Sequence, residues 1–404
     1  MPFRQHLEAL ALDSRYAVRS LRRAPIFLLA AIAAVALGVG PSSAVFSVVD
    51  RILFRSLPYP EAGHLVSFGM VAPIVPQEFM LGYDYLDWRE GQRPFEALGA
   101  WSDGSDCDLT ETNAIRLRCV AVDAYLVPAL GIQPVIGRNF TPQEDRPGAP
   151  KVALISYGLW RSRFAGDRNV LGKAMPLDGR PVTILGVLSP QFELPTLAPA
   201  DVLVPLALDQ EEQRTHRTAI LLWSVGRLRP GVTTVQASAA LQPLFEKSMQ
   251  WVSPEFRKEI KLRLRPLRGR QILEARLASW ILLGSVLAVL AIACVNVANL
   301  LLARAATRER EFAVRAALGA GRGRLITQTL MESLLLGLAG GAAGCALAFL
   351  LIRLFVAIAP EGIPRLSQAT VDLRVLLFTL AVSVVSSALF GLAPAVQNAM
   401  TEAL

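Results

Sequence analysis

Residues able to do covalent chemistry are sparse in this 404-residue chain, and their spacing does not suit it. The three histidines, His6, His64 and His216, are scattered, so they cannot form the clustered ligand set of a zinc site. No Cys-x-x-Cys pair and no Gly-x-Ser-x-Gly turn occurs. Gly319-Ala-Gly321-Arg-Gly323-Arg has the glycines of a phosphate loop, but no strand precedes it and no Lys-Ser/Thr follows to meet phosphate and magnesium. Gly319 and Gly321 read better as a helix stop. The sequence therefore predicts a non-enzyme, with no metal and no cofactor of its own.

Three other groups could act by binding. The first is the stretch Arg304 to Glu332, which lies between two long apolar runs and carries Arg304, Arg308, Arg310, Arg315, Arg322 and Arg324 against Glu309 and Glu311. Its pattern is helical: Arg308, Glu311 and Arg315 share a stripe, Glu311 and Arg315 form a favourable i,i+4 pair, and Phe312 with Ala316 and Val314 with Leu318 form apolar stripes. Such a helix suits docking of a soluble protein, and it equally suits binding to anionic lipid. The second group is Asn296 and Asn299, inside an apolar run. Amides there bond to neighbouring helices or line a transport pathway, and the lack of any companion acid or base favours packing. The third is the cysteines. Cys294 and Cys345 lie in apolar runs and read as packing residues. Cys107 and Cys119 fall on two predicted strands. A turn near Thr112–Asn113 would set them opposite one another, within reach of a disulfide in an oxidising compartment, with two unpaired thiols as the alternative.

The elements that hold these groups follow from composition. Of the residues, 53% are hydrophobic and 18% are charged, and the apolar residues concentrate in four uncharged blocks: Ile26 to Val49, Leu277 to Ala303, Ser333 to Ile352, and Val375 to Thr401. Each reaches the ~20 residues of a membrane-crossing helix. Arginines crowd the N-terminal segment and the 304–332 loop, so the positive-inside rule puts both in the cytoplasm, both termini inside, and the large 50–276 domain outside. The net charge of +8 is thereby assigned to lipid and topology, not to nucleic acid. A signal peptide competes for the first block, but its apolar run continues past the conceivable cleavage region at Gly40–Ala44. Residues 1–25 read as a cytoplasmic segment with an amphipathic helix over 5–23, and Gly38, Gly40 and Pro41 predict a kink in the first span. Residues 353–374 form a short outer loop, nearly balanced in charge.

Between the first and second blocks the pattern is α+β with several small sheets. Helices are expected over Tyr83–Arg93, Tyr157–Phe164 and Thr233–Met249. Strands are expected over Ala100–Leu109, Ile115–Val122, Lys151–Ile155, Pro181–Leu188, Asp201–Leu206, Leu222–Leu228 and Ile260–Arg265.

Glu311-Phe-Ala-Val-Arg315-Ala-Ala-Leu-Gly-Ala-Gly321, with Arg324-Leu-Ile-Thr-Gln328 and Glu332-Ser333, closely resembles the cytoplasmic loop of MacB/FtsX-type ABC transporter permeases. The resemblance extends along nearly the whole chain. Tyr16 to Pro25, Leu37 to Gly40 and Val45 to Asp50 resemble the family's N-terminal segment. Leu57 to Pro60, Leu130 to Pro134, Gly137-Arg138, Ser156 to Trp160 and Gly186-Val187 resemble its periplasmic core domain. The resemblance implies four transmembrane helices (26–49, 277–303, 333–352, 375–401), an extracytoplasmic domain of the MacB periplasmic core type (50–276), and an FtsX-like permease domain (284–401). It implies a homodimer or a second permease half, contact with membrane lipid, a periplasmic adaptor, and a separate ABC ATPase subunit that binds ATP. That ATPase would dock on Arg308, Glu311, Phe312, Arg315 and Leu318 and drive export by moving the outer domain. The FtsX branch implies instead a scaffold that positions a periplasmic enzyme, and a third branch implies lipoprotein release. Two features depart from the pattern. Pro41 stands where the family has a small or polar residue, and the chain stops at Leu404, where a duplicated permease would continue into a second half.

Overall fold

Four uncharged runs and one mixed-charge run fold as two compact units, Met1–Arg55 with Ala275–Leu404, and Ser56–Glu274. The computed structural model describes residues 17–55, 57–110, 114–197, 199–216, 220–307, 322–358 and 370–400.

In the first unit, Pro25 starts a helix over Pro25–Val49, where its missing N–H costs nothing. That helix continues unbroken through Pro41 to a π-helical turn at Asp50–Phe54. The glycines expected to bend it serve close packing instead. A Cβ on Gly38 would stand 2.8 Å from the Ala293 Cβ, and one on Gly40 would stand 2.9 Å from Leu347. Helices Leu267–Thr307, Arg322–Ile358 and Leu373–Met400 follow. Among the described residues, Pro25–Val49, Arg276–Arg304 and Thr329–Phe355 are long and apolar enough to cross a membrane. The last helix, Leu373–Met400, is apolar over its described part, Leu373–Leu389. Of the expected 5–23 helix, residues 17–22 are described and are helical.

The third helix packs through small residues on two sides. Gly340 and Gly344 meet Val35 and Val39 of the first helix, while Gly337 and Gly341 meet Ser387 and Ser383 of the last. The small-xxx-small spacing thus lets backbones approach. Buried hydroxyls in this packing bond mostly within their own helix: Thr379 to Val375 O at 2.7 Å, Ser383 to Thr379 O at 2.7 Å and Ser387 to Ser383 O at 2.5 Å. Ser43 and Thr379 bond between helices at 2.8 Å.

The second unit holds twelve described strands: β1 Leu65–Ala72, β2 Val75–Leu81, β3 Phe95–Trp101, β4 Ser105–Leu109, β5 Ile115–Val122, β6 Ile136–Gly137, β7 Val152–Ile155, β8 Ala174–Leu177, β9 Arg180–Val187, β10 Val202–Pro205, β11 Leu221–Leu228 and β12 Lys261–Pro266. They do not form several small sheets. They join in one hydrogen-bonded network, ordered β10-β7-β9-β8-β4-β5-β3-β11-β2-β1-β12, with β6 on β9. Because β10 also pairs with β5, the six strands from β10 to β5 close into a ring, which leaves no free edge among them. Alternate residues of these strands make one core, including Leu109, Leu117, Ala153, Ile155, Met175, Ile184 and Val202. The predicted strand over 100–109 is two strands, since β3 leaves at Trp101 to pair with β11 while β4 pairs with β5.

β1 escaped the sequence reading because nearly all of it is buried on both faces, so polar and apolar residues do not alternate. Gly69 is required there: its φ is +151°, and a Cβ would meet the Phe79 carbonyl oxygen at 2.5 Å. The helix Thr234–Met249 opens on a capping box, with Gln236 N–H donating to Thr233 Oγ1 and Thr233 N–H to Gln236 Oε1.

Candidate coupling site

The docking residues inferred from sequence, Arg308, Glu311, Phe312, Arg315 and Leu318, lie outside the described residues. Both flanks are described. The second helix is described through Thr307 and the third from Arg322. Arg304, one turn before the segment, is anchored. Its guanidinium donates to the Ser20 carbonyl at 2.8 Å and to Ser20 Oγ at 3.1 Å, and it lies 4.4 Å from the Phe27 ring centroid. Leu21 is buried with Ala31, Val35, Val297, Leu301 and Leu336. Leu21 before the first helix, the last described turns of the second helix and Leu336 of the third therefore share one core. On the far side of the segment Glu332 is buried, and Ser333 Oγ donates to Thr329 O at 3.0 Å.

At the opposite end of the same helices stands an ion cluster that the sequence did not announce. Asp50, 3% exposed in the π-helical turn, accepts from Arg55 Nε at 3.2 Å and from Arg374 at 3.4 Å. Arg55 also pairs with Asp372, which caps the last helix through the backbone N–H groups of Arg374 and Val375, each at 3.1 Å. Arg51 and Ser47 hold Thr370 at 2.7 and 3.0 Å. Buried charge is stable only when paired and hydrogen-bonded, and Asp50, Arg55, Asp372 and Arg374 are each paired with an opposite charge. The one available sequence signal was the near-balanced charge of 353–374.

The described part of the second helix presents Asn296 and Asn299 outward. Both are exposed, and neither has a hydrogen-bond partner among the described residues, so the expected packing against neighbouring helices is not seen among the described residues.

The second unit buries two polar clusters. Asp123 is 2% exposed; its Oδ1 accepts from the N–H groups of Ala100 at 3.1 Å and Tyr125 at 3.2 Å, and its Oδ2 accepts from the Tyr85 hydroxyl. Burial outweighs these bonds and pushes its carboxyl up to about 7, and the Tyr85 phenol is raised by the same burial. Asp145, also raised by burial, accepts from Ala124 and Ala207 N–H at 2.9 and 2.7 Å. The nearest cation is Arg89, over the Tyr85 and Tyr125 rings at 5.6 and 5.1 Å. In the other cluster Glu78, wholly buried, meets Arg265 Nε at 2.6 Å and Arg270 Nε at 3.9 Å, while Arg270 lies between Trp101 and Trp223, 5.7 and 5.0 Å from their centroids. Both clusters tie strands together.

Cys107 and Cys119 form a disulfide with a Cα–Cα separation of 5.8 Å, on the core face of the six-strand ring. The register differs from the expected one. Cys107 stands opposite Leu117 and Cys119 opposite Ser105, so the bond is diagonal. A two-residue offset keeps both side chains on the same face, whereas a one-residue slip would separate them.

Residues 28–244 match the family model of the MacB-like periplasmic core domain, and residues 283–399 match that of the FtsX-like permease C-terminal. The chain belongs to the MacB/FtsX-type ABC transporter permeases. Like other members of the family, this permease combines a periplasmic core domain with apolar membrane helices. It is 26% identical over 262 residues to the uncharacterized ABC transporter permease YknZ of Bacillus subtilis, covering 64% of this chain and 62% of that one. It is 28% identical over 263 residues to the macrolide export ATP-binding/permease protein MacB of Burkholderia cenocepacia, covering 63% and 37%. It is 23% identical over 265 residues to the pyoverdine export ATP-binding/permease protein PvdT of Pseudomonas aeruginosa, covering 65% and 38%. This permease thus spans less than two thirds of the length of these relatives. Among solved structures, the extracellular domain of YknZ from Gram-positive bacteria aligns with a TM-score of 0.36 and 12% identity, over 49% of this chain and 99% of that one. The periplasmic region of MacB from Actinobacillus actinomycetemcomitans aligns at 0.39 and 12%, over 53% and 94%.

Proposed function

We propose that this permease couples ATP hydrolysis on a separate ABC ATPase subunit to movement of its globular unit, for efflux or export. The ATPase docks on the segment 308–318, through Arg308, Glu311, Phe312, Arg315 and Leu318. In this reading the fourth apolar helix also spans the membrane, both termini are cytoplasmic and residues 50–276 are periplasmic. The assembly contains a second copy or a second permease half, and an adaptor in the periplasm. ATP is bound by the partner, and this chain supplies only the docking surface and the lever.

The observation that carries the reading is the anchoring beside the segment. A pull on 308–318 acts on the last turn of the second helix, where Arg304 is held by Ser20 and Phe27 and Leu301 is packed with Leu21 and Leu336. Close-packed interiors transmit strain, so this end would move as one body. The glycine and serine contacts then pass the motion to the last helix. The test is copurification of the tagged permease with a co-expressed ABC ATPase subunit. R308E/R315E reverses two of the docking charges and is expected to lower ATPase recovery at least tenfold, with expression and melting temperature unchanged. Undiminished recovery would remove the docking role from this segment.

A further inference from the structure

Within the globular unit, the six-strand ring of β4, β5, β7, β8, β9 and β10 meets the sheet of β1, β2, β3, β11 and β12 at a short ladder. β3 and β5 share the registered pair Trp101 with Val122, flanked by Ser102 N–H to Ala121 O at 2.9 Å and Asp123 N–H to Ala100 O at 3.0 Å. Beside this ladder, Val120, Leu154 and Leu203 of the ring lie in one apolar core with Leu126 and Trp223. Packed surfaces of this kind slide by small amounts without coming apart. The chain crosses this joint at 102–104, at 123–125, where β5 gives way to Leu126 lying against Gly99 of β3, at 131–135 on the way to β6, and at 206–209 after β10.

Two acids tie these crossings together. Asp123 accepts from Ala100 N–H on β3 and from Tyr125 N–H. Asp145 reaches across from the loop before β7, accepting from Ala124 N–H at 2.9 Å and from Ala207 N–H at 2.7 Å. Ala207 has a φ of +48°, a left-handed backbone that a residue with a Cβ holds only under restraint, and the Asp145 bond supplies it. The titratable and charged groups that face Asp123 are Tyr85 and Arg89 on the helix Gly82–Gly91 and Asp145 itself, while β3 and the turn at Tyr125 present backbone N–H groups. Arg89 acts on both acids. With a proton on Asp123 the pair carries at most one negative charge, which Arg89 balances. With both acids ionised it carries two, in a place largely closed to water. Burial raises both carboxyls for that reason, and opening the joint would hydrate them.

We propose that Asp123 and Asp145 form a proton-controlled clamp on the joint between ring and sheet, closed while the pair keeps a proton and opened by a small slide of the ring when the pair loses it. The clamp belongs to the globular unit and needs no ATPase. In the window between the ordinary carboxylate range and about pH 7, each pH unit multiplies the open-to-closed ratio by up to about tenfold, and the ratio levels off above it. The test is hydrogen exchange of the full-length chain in detergent from about pH 5 to pH 8, expressed as protection factors. Peptides covering 121–126 and 204–209 report the joint, and peptides covering 182–187 and 221–226 report the ring and sheet cores. The joint peptides are expected to lie well below the core peptides throughout, to lose roughly thirty- to fiftyfold in protection from pH 5 to pH 7, and to lose little more beyond. D123N, neutral at every pH, is expected to remove most of that loss. A207G relaxes the left-handed turn and is expected to raise protection over 204–209 severalfold at every pH while keeping the slope, so the clamp stays testable if D123N folds poorly. Joint and core peptides with equal protection would mean that the unit opens only as a whole. Joint protection that does not fall with pH, or that falls as steeply in D123N, would show that the acids do not control the joint. Any of these three results overturns the clamp.

Discussion

Asp123 offers a direct check on how burial sets charge in the globular unit. Its carboxyl is pushed from 3.8 in the unfolded chain to about 7, chiefly by burial. The folded state therefore holds a proton that the unfolded state has released across the window from about pH 4 to pH 7. Stability is then fullest below the unfolded value and is lost as pH rises through the folded one. Each pH unit well inside that window is worth about 1.4 kcal/mol and less as the folded carboxyl begins to ionise, so pH 5 to pH 7 removes roughly 2–2.5 kcal/mol. Asp123→Asn stays neutral throughout. Its amide oxygen keeps the acceptor that meets the Ala100 and Tyr125 N–H groups, and its amide hydrogens can turn to Tyr85. The assay is thermal unfolding of the full chain in detergent, followed by tryptophan fluorescence, because Trp88, Trp101 and Trp223 are all buried in this unit. The two proteins should melt closest together below about pH 4, and their difference at pH 5 is the reference. By pH 7 the wild type should have fallen relative to D123N by roughly 5–10 °C, at about 2–4 °C per kcal/mol for a unit of this size. Asp145 shifts in the same direction and is present in both proteins, so the difference curve isolates Asp123. Parallel curves, or a wild type that gains on the variant as pH rises, would show a carboxylate kept ionised by its backbone donors and would refute the reasoning.

Two further outcomes follow from packing. Glu78→Gln leaves Arg265 and Arg270 without their shared buried acid and is expected to cost about 3 kcal/mol by denaturant titration, with little recovery in high salt because the site is buried; a loss below 1 kcal/mol would mean the arginines find other partners. Gly337→Ala puts a Cβ into the Ser387 hydroxyl and 2.9 Å from the Ser383 carbonyl. Overpacking of this kind costs about 1–3 kcal/mol, so the melting temperature of the solubilised membrane unit should fall and Ser387→Gly should restore part of it. A G337A protein as stable as wild type would show that the last helix does not sit against this glycine.

Some of this protein was decided by short-range pattern. Uncharged runs near the length of a bilayer marked the apolar helices. Alternation and end signals located β5, β7, β9, β10, β11 and β12 and the helix Thr234–Met249 to within a residue or two. Those signals survive because helix and strand periods are local. Fold family was legible for the same reason, in ordered motifs from Tyr16 to Ser333. The tertiary structure decided what depends on partners far along the chain. Asp50 and Arg374 bond 324 positions apart, and neither is distinctive in its own segment. The closing of six strands into a ring turns on the β10–β5 pairing, which no local pattern encodes. Cys107 and Cys119 were bound to share a face by period two, but their register awaited the rest of the ring. Asn296 and Asn299 make the same point in reverse. Sequence could say that two amides in an apolar helix need partners, and only the packed chain could show that the described helices meet the other side of that helix.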